Sequence, residues 1–228
     1  MHELIVCADP SDAAHRAGQA VTRLLLHAVQ ARGKASLAVS GGTTAALLFD
    51  ALVAESVPWH DIQVFQVDER VAPDGDPDRN LLTLTEHLVG PAQIPFGSVH
   101  AMPVTSLPPG AAARTYAATL KRLGGVIDVV HLGLGDDGHT ASLVPGDPVL
   151  DVVRTSVATT RTYKGRRRLT LTYPTINRAR SIVWLVTGAA KAEVVPQLLA
   201  SDPSIPAGRV RPCGSSTVFA DPAAAGSV

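Results

Sequence analysis

Ala35-Ser36-Leu37-Ala38-Val39-Ser40-Gly41-Gly42-Thr43-Thr44 joins a short apolar run to a helical pattern through two glycines. A run of that length with little polar alternation suits a strand covered on both faces, as in a parallel sheet. The glycines let the backbone turn tightly and approach a ligand with no Cβ in the way. A helix predicted over residues 43–54 would offer its first N–H groups there, supplemented by hydroxyls of Ser40, Thr43 and Thr44. A plain strand-to-helix turn with a capping threonine accounts for the same residues. The loop lacks the lysine of a P-loop, which weakens a nucleoside triphosphate reading.

Outward from this unit the chain alternates β-rich runs with helical patterns, which predicts an α/β fold: an open, mostly parallel, Rossmann-like sheet with helices on both faces. Strands are expected at 3–7, 35–39, 63–67, 127–134, 168–172, 181–186 and 217–219. The first helix starts at Asp9-Pro10-Ser11-Asp12, carries Ala14, Ala17, Val21, Leu24, Leu25 and Ala28 at helical spacing, and ends at Gly33. Further helices are predicted from a capping Asn80 to 88, over 110–123 and over 189–199. The proline-rich stretch 90–109 reads as irregular, and the Ala-rich tail after Pro222 as frayed. With no internal repeat, the 228 residues are expected to form one domain.

Lys plus Arg and Asp plus Glu number 20 each, so the formal net charge is zero. That balance offers no basic footprint for nucleic acid and no polybasic patch for an anionic membrane. Aromatics are 4% of the chain, too few for a base-stacking cleft. No apolar run is long enough to span a bilayer, and Met1-His2-Glu3 lacks the positive start of a secretory signal. Cys7 and Cys213 are the only cysteines, so free thiols in packing roles and a cytoplasmic location are expected, with no metal cluster at Cys/His spacing.

Ligands of an open parallel sheet bind beyond the carboxyl ends of its strands. A second strand end carries Asp68-Glu69-Arg70. Arg70 can take two phosphate oxygens at once, Asp68 can act as a base or orient one, and alternation turns Glu69 away from both. A surface salt-bridge cluster is the plainer reading of these three. A third end reads Gly133-Leu134-Gly135-Asp136-Asp137-Gly138-His139-Thr140-Ala141-Ser142. It contains G-x-G-x-x-G, but two carboxylates would sit where a pyrophosphate needs bare N–H groups, and the motif falls mid-chain. What remains is a flexed loop presenting His139, a general base by its chemistry, beside Asp137, which can fix its tautomer. Arg166-Arg167-Arg168 and Lys191 are further cations. Lys191 lies in the first turn of a predicted helix, where a cation is disfavoured unless it shares an anion. Together these residues suggest a small phosphorylated ligand.

In the order and spacing of these segments the chain resembles the 6-phosphogluconolactonases over nearly its whole length. Ser40 to Thr43, Asp68-Glu69-Arg70 with Asn80, Gly133 to Leu143 with Pro145, Arg168-Leu169-Thr170 and Gly188 to Ala192 carry the resemblance. It implies hydrolysis of 6-phospho-D-glucono-1,5-lactone with no cofactor or metal. His139 would be the base, oriented by Asp137 or Asp68, and Gly41, Gly42, Thr43, Arg70, Arg168 and Lys191 would hold the phosphate. The related glucosamine-6-phosphate deaminases typically continue after the histidine with an Asn-Glu-Pro stretch, where this chain has Thr140-Ala141-Ser142-Leu143. A deaminase-type reaction with Asp68 as base, and a non-catalytic sugar-phosphate sensor, are the alternatives. Asp136, Val144 and Arg79 depart from the family's usual proline, phenylalanine and serine.

Overall fold

The computed structural model describes residues 2–226. In chain order the elements are β1 (Glu3–Val6), α1 (Pro10–Arg32), β2 (Ala35–Val39), α2 (Thr43–Val53), β3 (Ile62–Gln66), β4 (Asp68–Arg70), α3 (Asn80–Leu84), β5 (Val99–His100) and α4 (Pro109–Arg122). They continue with β6 (Val129–Leu132), β7 (Val157–Thr159), β8 (Arg168–Leu171), α5 (Tyr173–Asn177), β9 (Ser181–Val186), α6 (Val194–Leu199), β10 (Ser215–Ala220) and α7 (Pro222–Ala225). Seven strands pair in parallel in the order β1-β10-β9-β6-β2-β3-β5. The predicted architecture is therefore present.

Strand alternation sends neighbouring residues to opposite faces, and here both faces are apolar. Val64 and Val129 point to the side covered by α1 and α2, whereas Phe65, Val130 and Leu132 point to the side covered by α4, α5 and α6. The first helix begins and ends as its sequence demands. The Asp9 side chain accepts the Asp12 N–H at 2.9 Å, and Gly33 closes the helix at φ 74° with its N–H on Val29 O. Such an N-cap contributes about 1 kcal/mol.

A second, antiparallel sheet of order β4-β8-β7 was not anticipated. Asp68-Glu69-Arg70 is one of its strands rather than a loop, and β8 pairs there instead of in the main sheet. Leu169 and Leu171 of β8 and Val157 of β7 join the same core as Phe65 and Trp184. Val67 is the joint between the two sheets: its N–H donates to Val39 O at 2.9 Å, and its carbonyl accepts from Leu171 N at 2.8 Å.

Other expectations need correction. Within the proline-rich stretch β5 forms an edge strand on β3. Asn80 does not cap α3: Arg79 holds the N-cap position, and the carboxylate of Glu69 accepts the Asn80 and Leu81 N–H groups. That helix passes into a π turn over Thr85–Val89. The helix expected over 189–199 is broken into a 3-10 turn, Ala189–Lys191, and α6. The tail forms α7, capped by Asp221 on Ala224 N and buried through Ala224 and Ala225, while residues 227 and 228 lie outside the described residues. Cys7 is buried as expected, but Cys213 is exposed, contrary to a packing role. No helix among the described residues is long and apolar enough to cross a membrane.

Candidate active site

The carboxyl ends of β2, β6 and β9 and the open edge of the small sheet surround one cavity of about 440 Å³. Gly41, Gly42, Thr43, Asp68, Arg70, His139, Arg168 and Lys191 all line it. Asp137 does not, because it stands behind His139. Segments more than a hundred residues apart in the chain thus meet at one place.

The glycine loop is built for close approach. Gly41 lies flush against the side chain of Asn80, where any Cβ would overlap it, and Gly42 adopts φ 99° with open space above it. No side chain caps α2, in contrast to the threonine cap that its sequence allows, so the first N–H groups stay free for an anion. Ser40 instead spends its hydroxyl on His131 O at 3.1 Å.

On the small sheet, Arg70 and Arg168 are directly opposed in register. Like charges facing each other across two strands are destabilising, and neither arginine has a carboxylate in salt-bridge range among the described residues. Arg70 donates to Asp78 O at 2.6 Å, Arg168 reaches Ser142 Oγ only at 3.5 Å, and the Nε of each has no partner. Two guanidiniums without a salt-bridge partner thus face the cavity, an arrangement whose chemistry suits an anion. Arg166, by contrast, is engaged by Asp76 at 2.8 Å and Asp78 at 3.2 Å, and neither it nor Arg167 reaches the wall.

Glu69 turns the other way, as alternation predicts, and is fully buried. Its carboxylate accepts from Gln66 Nε2, Arg70 N, Asn80 N and Leu81 N at 2.7–2.9 Å and stands 3.1 Å from Arg79 Nε. It thereby fixes Asn80, whose Nδ2 reaches Asp68 Oδ1 at 3.2 Å. The other oxygen of Asp68 accepts the Ser142 hydroxyl at 2.5 Å.

Burial pushes the Asp68 carboxyl above its ordinary value of 3.8, outweighing the opposing pull of Ser142, Arg70 and Arg168. A raised folded value means that ionised Asp68 costs stability. The cost is absent below the unfolded value and grows as pH rises through the folded one. The melting temperature of Asp68→Asn is therefore expected to gain on that of the parent as pH is raised from about 4 to about 8. A constant difference in thermal melts across that range would contradict this account.

The loop after β6 aims His139. Gly135 N donates to His139 O at 2.7 Å, and Gly135 lies against the imidazole so closely that no Cβ fits. Gly138, at φ 75°, packs on Ile205. His139 Nδ1 is 2.5 Å from Asp137 Oδ1, and Tyr163 donates to Asp137 Oδ2 at 2.8 Å. A carboxylate only accepts, so Nδ1 carries the proton and Nε2 keeps its lone pair. Burial alone would raise Asp137, but the hydrogen bonds from His139 and Tyr163 prevail and hold it at about 2.

Several wall residues carry no role in the sequence reading. Lys164 sits on the turn before β8. Ala141 takes a positive φ of 52°. His131, central in β6, is fully buried with neither ring nitrogen partnered, and desolvation holds it down at about 3, so it is neutral. Nothing in the apolar run around it marked it out. Asp136 lines the mouth beside His139. Among the described residues no group of three His, Cys, Asp or Glu side chains is placed to hold a metal ion.

The family model described as glucosamine-6-phosphate isomerases/6-phosphogluconolactonase matches residues 8–219. The chain belongs to this family. Within it, the chain is 38% identical over 209 residues to a 6-phosphogluconolactonase of Synechocystis, covering 87% of each protein. The solved structure of 6-phosphogluconolactonase from Trypanosoma brucei superposes with a TM-score of 0.88 at 26% identity, over 99% of this chain and 98% of that one. A monomeric glucosamine-6-phosphate deaminase also superposes, with a TM-score of 0.83 and 20% identity, a likeness of fold alone.

Proposed function

We propose that the chain hydrolyses 6-phospho-D-glucono-1,5-lactone to 6-phospho-D-gluconate, the lactonase step of the oxidative pentose phosphate pathway. The observation that carries this reading is the pairing in one cavity of an imidazole fixed by Asp137 with two arginines that, among the described residues, have no carboxylate in salt-bridge range. Arg70 and Arg168, with the glycine loop, the start of α2 and Lys191, hold the phosphate dianion. That anchors the lactone ring over His139. Nε2 takes a proton from water as its oxygen attacks the lactone carbonyl, and a tetrahedral oxyanion forms, stabilised by a neighbouring cation or backbone N–H. Collapse breaks the bond from the carbonyl carbon to the ring oxygen, which leaves with the proton returned by the imidazolium. One water is consumed and one carboxylic acid is made, which ionises.

Several features support the wider reading. Residues of both sheets share one core, which favours a single domain over the whole chain. Two free thiols suit the cytoplasm. Equal numbers of acidic and basic residues favour a small-molecule partner over nucleic acid. Titration of acid released from freshly prepared 6-phosphogluconolactone, above its spontaneous opening rate, tests the reading. Base uptake proportional to enzyme is expected. A rate equal to the blank, or ammonia released from glucosamine 6-phosphate instead, would overturn it.

A further inference from the structure

We propose that Tyr163 is a positioning residue that couples the base to the anion site, holding Asp137 through its hydroxyl and Arg168 through its ring. The proposal rests on the reading of His139 as base. Tyr163 lies 24 residues beyond His139 in the chain and belongs to none of the strand-end clusters. Its Oη donates to Asp137 Oδ2 at 2.8 Å, while Asp137 Oδ1 takes His139 Nδ1 at 2.5 Å, so the three groups form a chain ending in the imidazole. The two rings also touch edge to face, with centroids 5.7 Å apart. On its other side the phenol ring supports Arg168, whose Cζ stands 5.0 Å from the centroid.

The placement is rigid. Tyr163 and Arg166 exchange backbone hydrogen bonds of 2.9 and 3.2 Å across a tight turn, with Lys164 and Gly165 at φ 46° and 80°. That turn leads directly into β8, so Tyr163 travels with Arg168. Burial and the bond to Asp137 push the phenol up to about 12, so it stays protonated and can only donate to the carboxylate.

The charged and titratable groups that share the site with His139 are Asp136 and Asp137 on its own loop, Tyr163 and Lys164 on the turn, Arg168 on β8, Asp68 and Arg70 on β4, Lys191 beyond β9, and the neutral His131 beneath. Among them only Tyr163 shares the Asp137 carboxylate with the imidazole side chain. A donor on Oδ2 withdraws charge from the oxygen that faces the imidazole. Removing it leaves a more basic carboxylate, which stabilises the imidazolium more strongly. Because neutral imidazole is the active form, the acid limb of the kcat/KM profile must then move to higher pH.

Tyr163→Phe keeps the ring and the turn, so the fold is retained. It is expected to move that limb up by about half a pH unit and to lower kcat about threefold to tenfold, with KM unchanged. Tyr163→Leu removes the ring as well, and KM should rise severalfold besides. The imidazole titration of His139, followed by proton NMR without ligand, should move upward in Tyr163→Phe by the same half unit. An unmoved profile and titration in Tyr163→Phe, with His139→Gln inactive, would overturn the role of Tyr163 alone. An active His139→Gln would overturn the base assignment, and this proposal with it.

Discussion

His139→Ala is expected to lower kcat by about 10²- to 10⁴-fold while the affinity for 6-phosphogluconate changes less than about threefold. The separation follows from geometry. The imidazole reaches the cavity through Nε2, whereas the proposed phosphate contacts come from the glycine loop, the small sheet and Lys191. Stopped assays on fresh lactone give the first quantity and calorimetric titration of product gives the second. Turnover near that of the parent would remove His139 from the base role, and a large loss of product binding would show it to be an anchor. The same variant carries a pH signature. Hydrogen bonding to His139 helps hold Asp137 at about 2 against an ordinary 3.8. A depressed carboxylate contributes stability that is present above the unfolded value and lost as pH falls through the folded one. The variant should therefore lose less stability than the parent between about pH 4 and pH 2.

Arg70→Met or Arg168→Met is expected to raise KM by about 10- to 100-fold each, with kcat within about threefold. Charge-assisted, bidentate bonds to a phosphate are among the stronger polar interactions a protein makes, and among the described residues neither side chain has a carboxylate within salt-bridge range. Opposed in register, they also repel each other in the empty protein. Each also attracts the buried Asp68 carboxylate, so the two effects oppose, and loss of either should leave the ligand-free melting temperature near that of the parent, whereas a core substitution would lower it. Kinetics and thermal melts on the same preparations decide the matter. An unchanged KM would place the phosphate at Lys191 and the glycine loop alone. A sharp drop in melting temperature would make the pair structural.

Much of this was legible in local sequence. Capping at Asp9 and Gly33, the glycine loop between β2 and α2, and the Asp137–His139 pairing are short-range features, fixed by residues within a turn or two of each other. The small sheet was not legible. Its strands β4 and β7 are three residues long, too short to show a period, and the pairing of β4 with β8 is decided by contacts across about 100 residues. Arg166 and Arg168 have the same parity, so alternation alone does not separate them. The turn at Tyr163–Arg166 does, by directing Arg166 to Asp76 and Asp78. Asn80 looked like a helix cap because its residue type favours one. Glu69 took that role instead, from eleven residues upstream, leaving the amide of Asn80 to brace Asp68.

Val67, whose two peptide groups bind β2 on one side and β8 on the other, leaves no slack between the parallel and antiparallel layers. The distance from imidazole to guanidinium is thus set when the chain folds, like the span of a spanner with fixed jaws. Such a tool turns only nuts of one size, and ligands a carbon shorter or longer between anion and carbonyl would meet it off-centre.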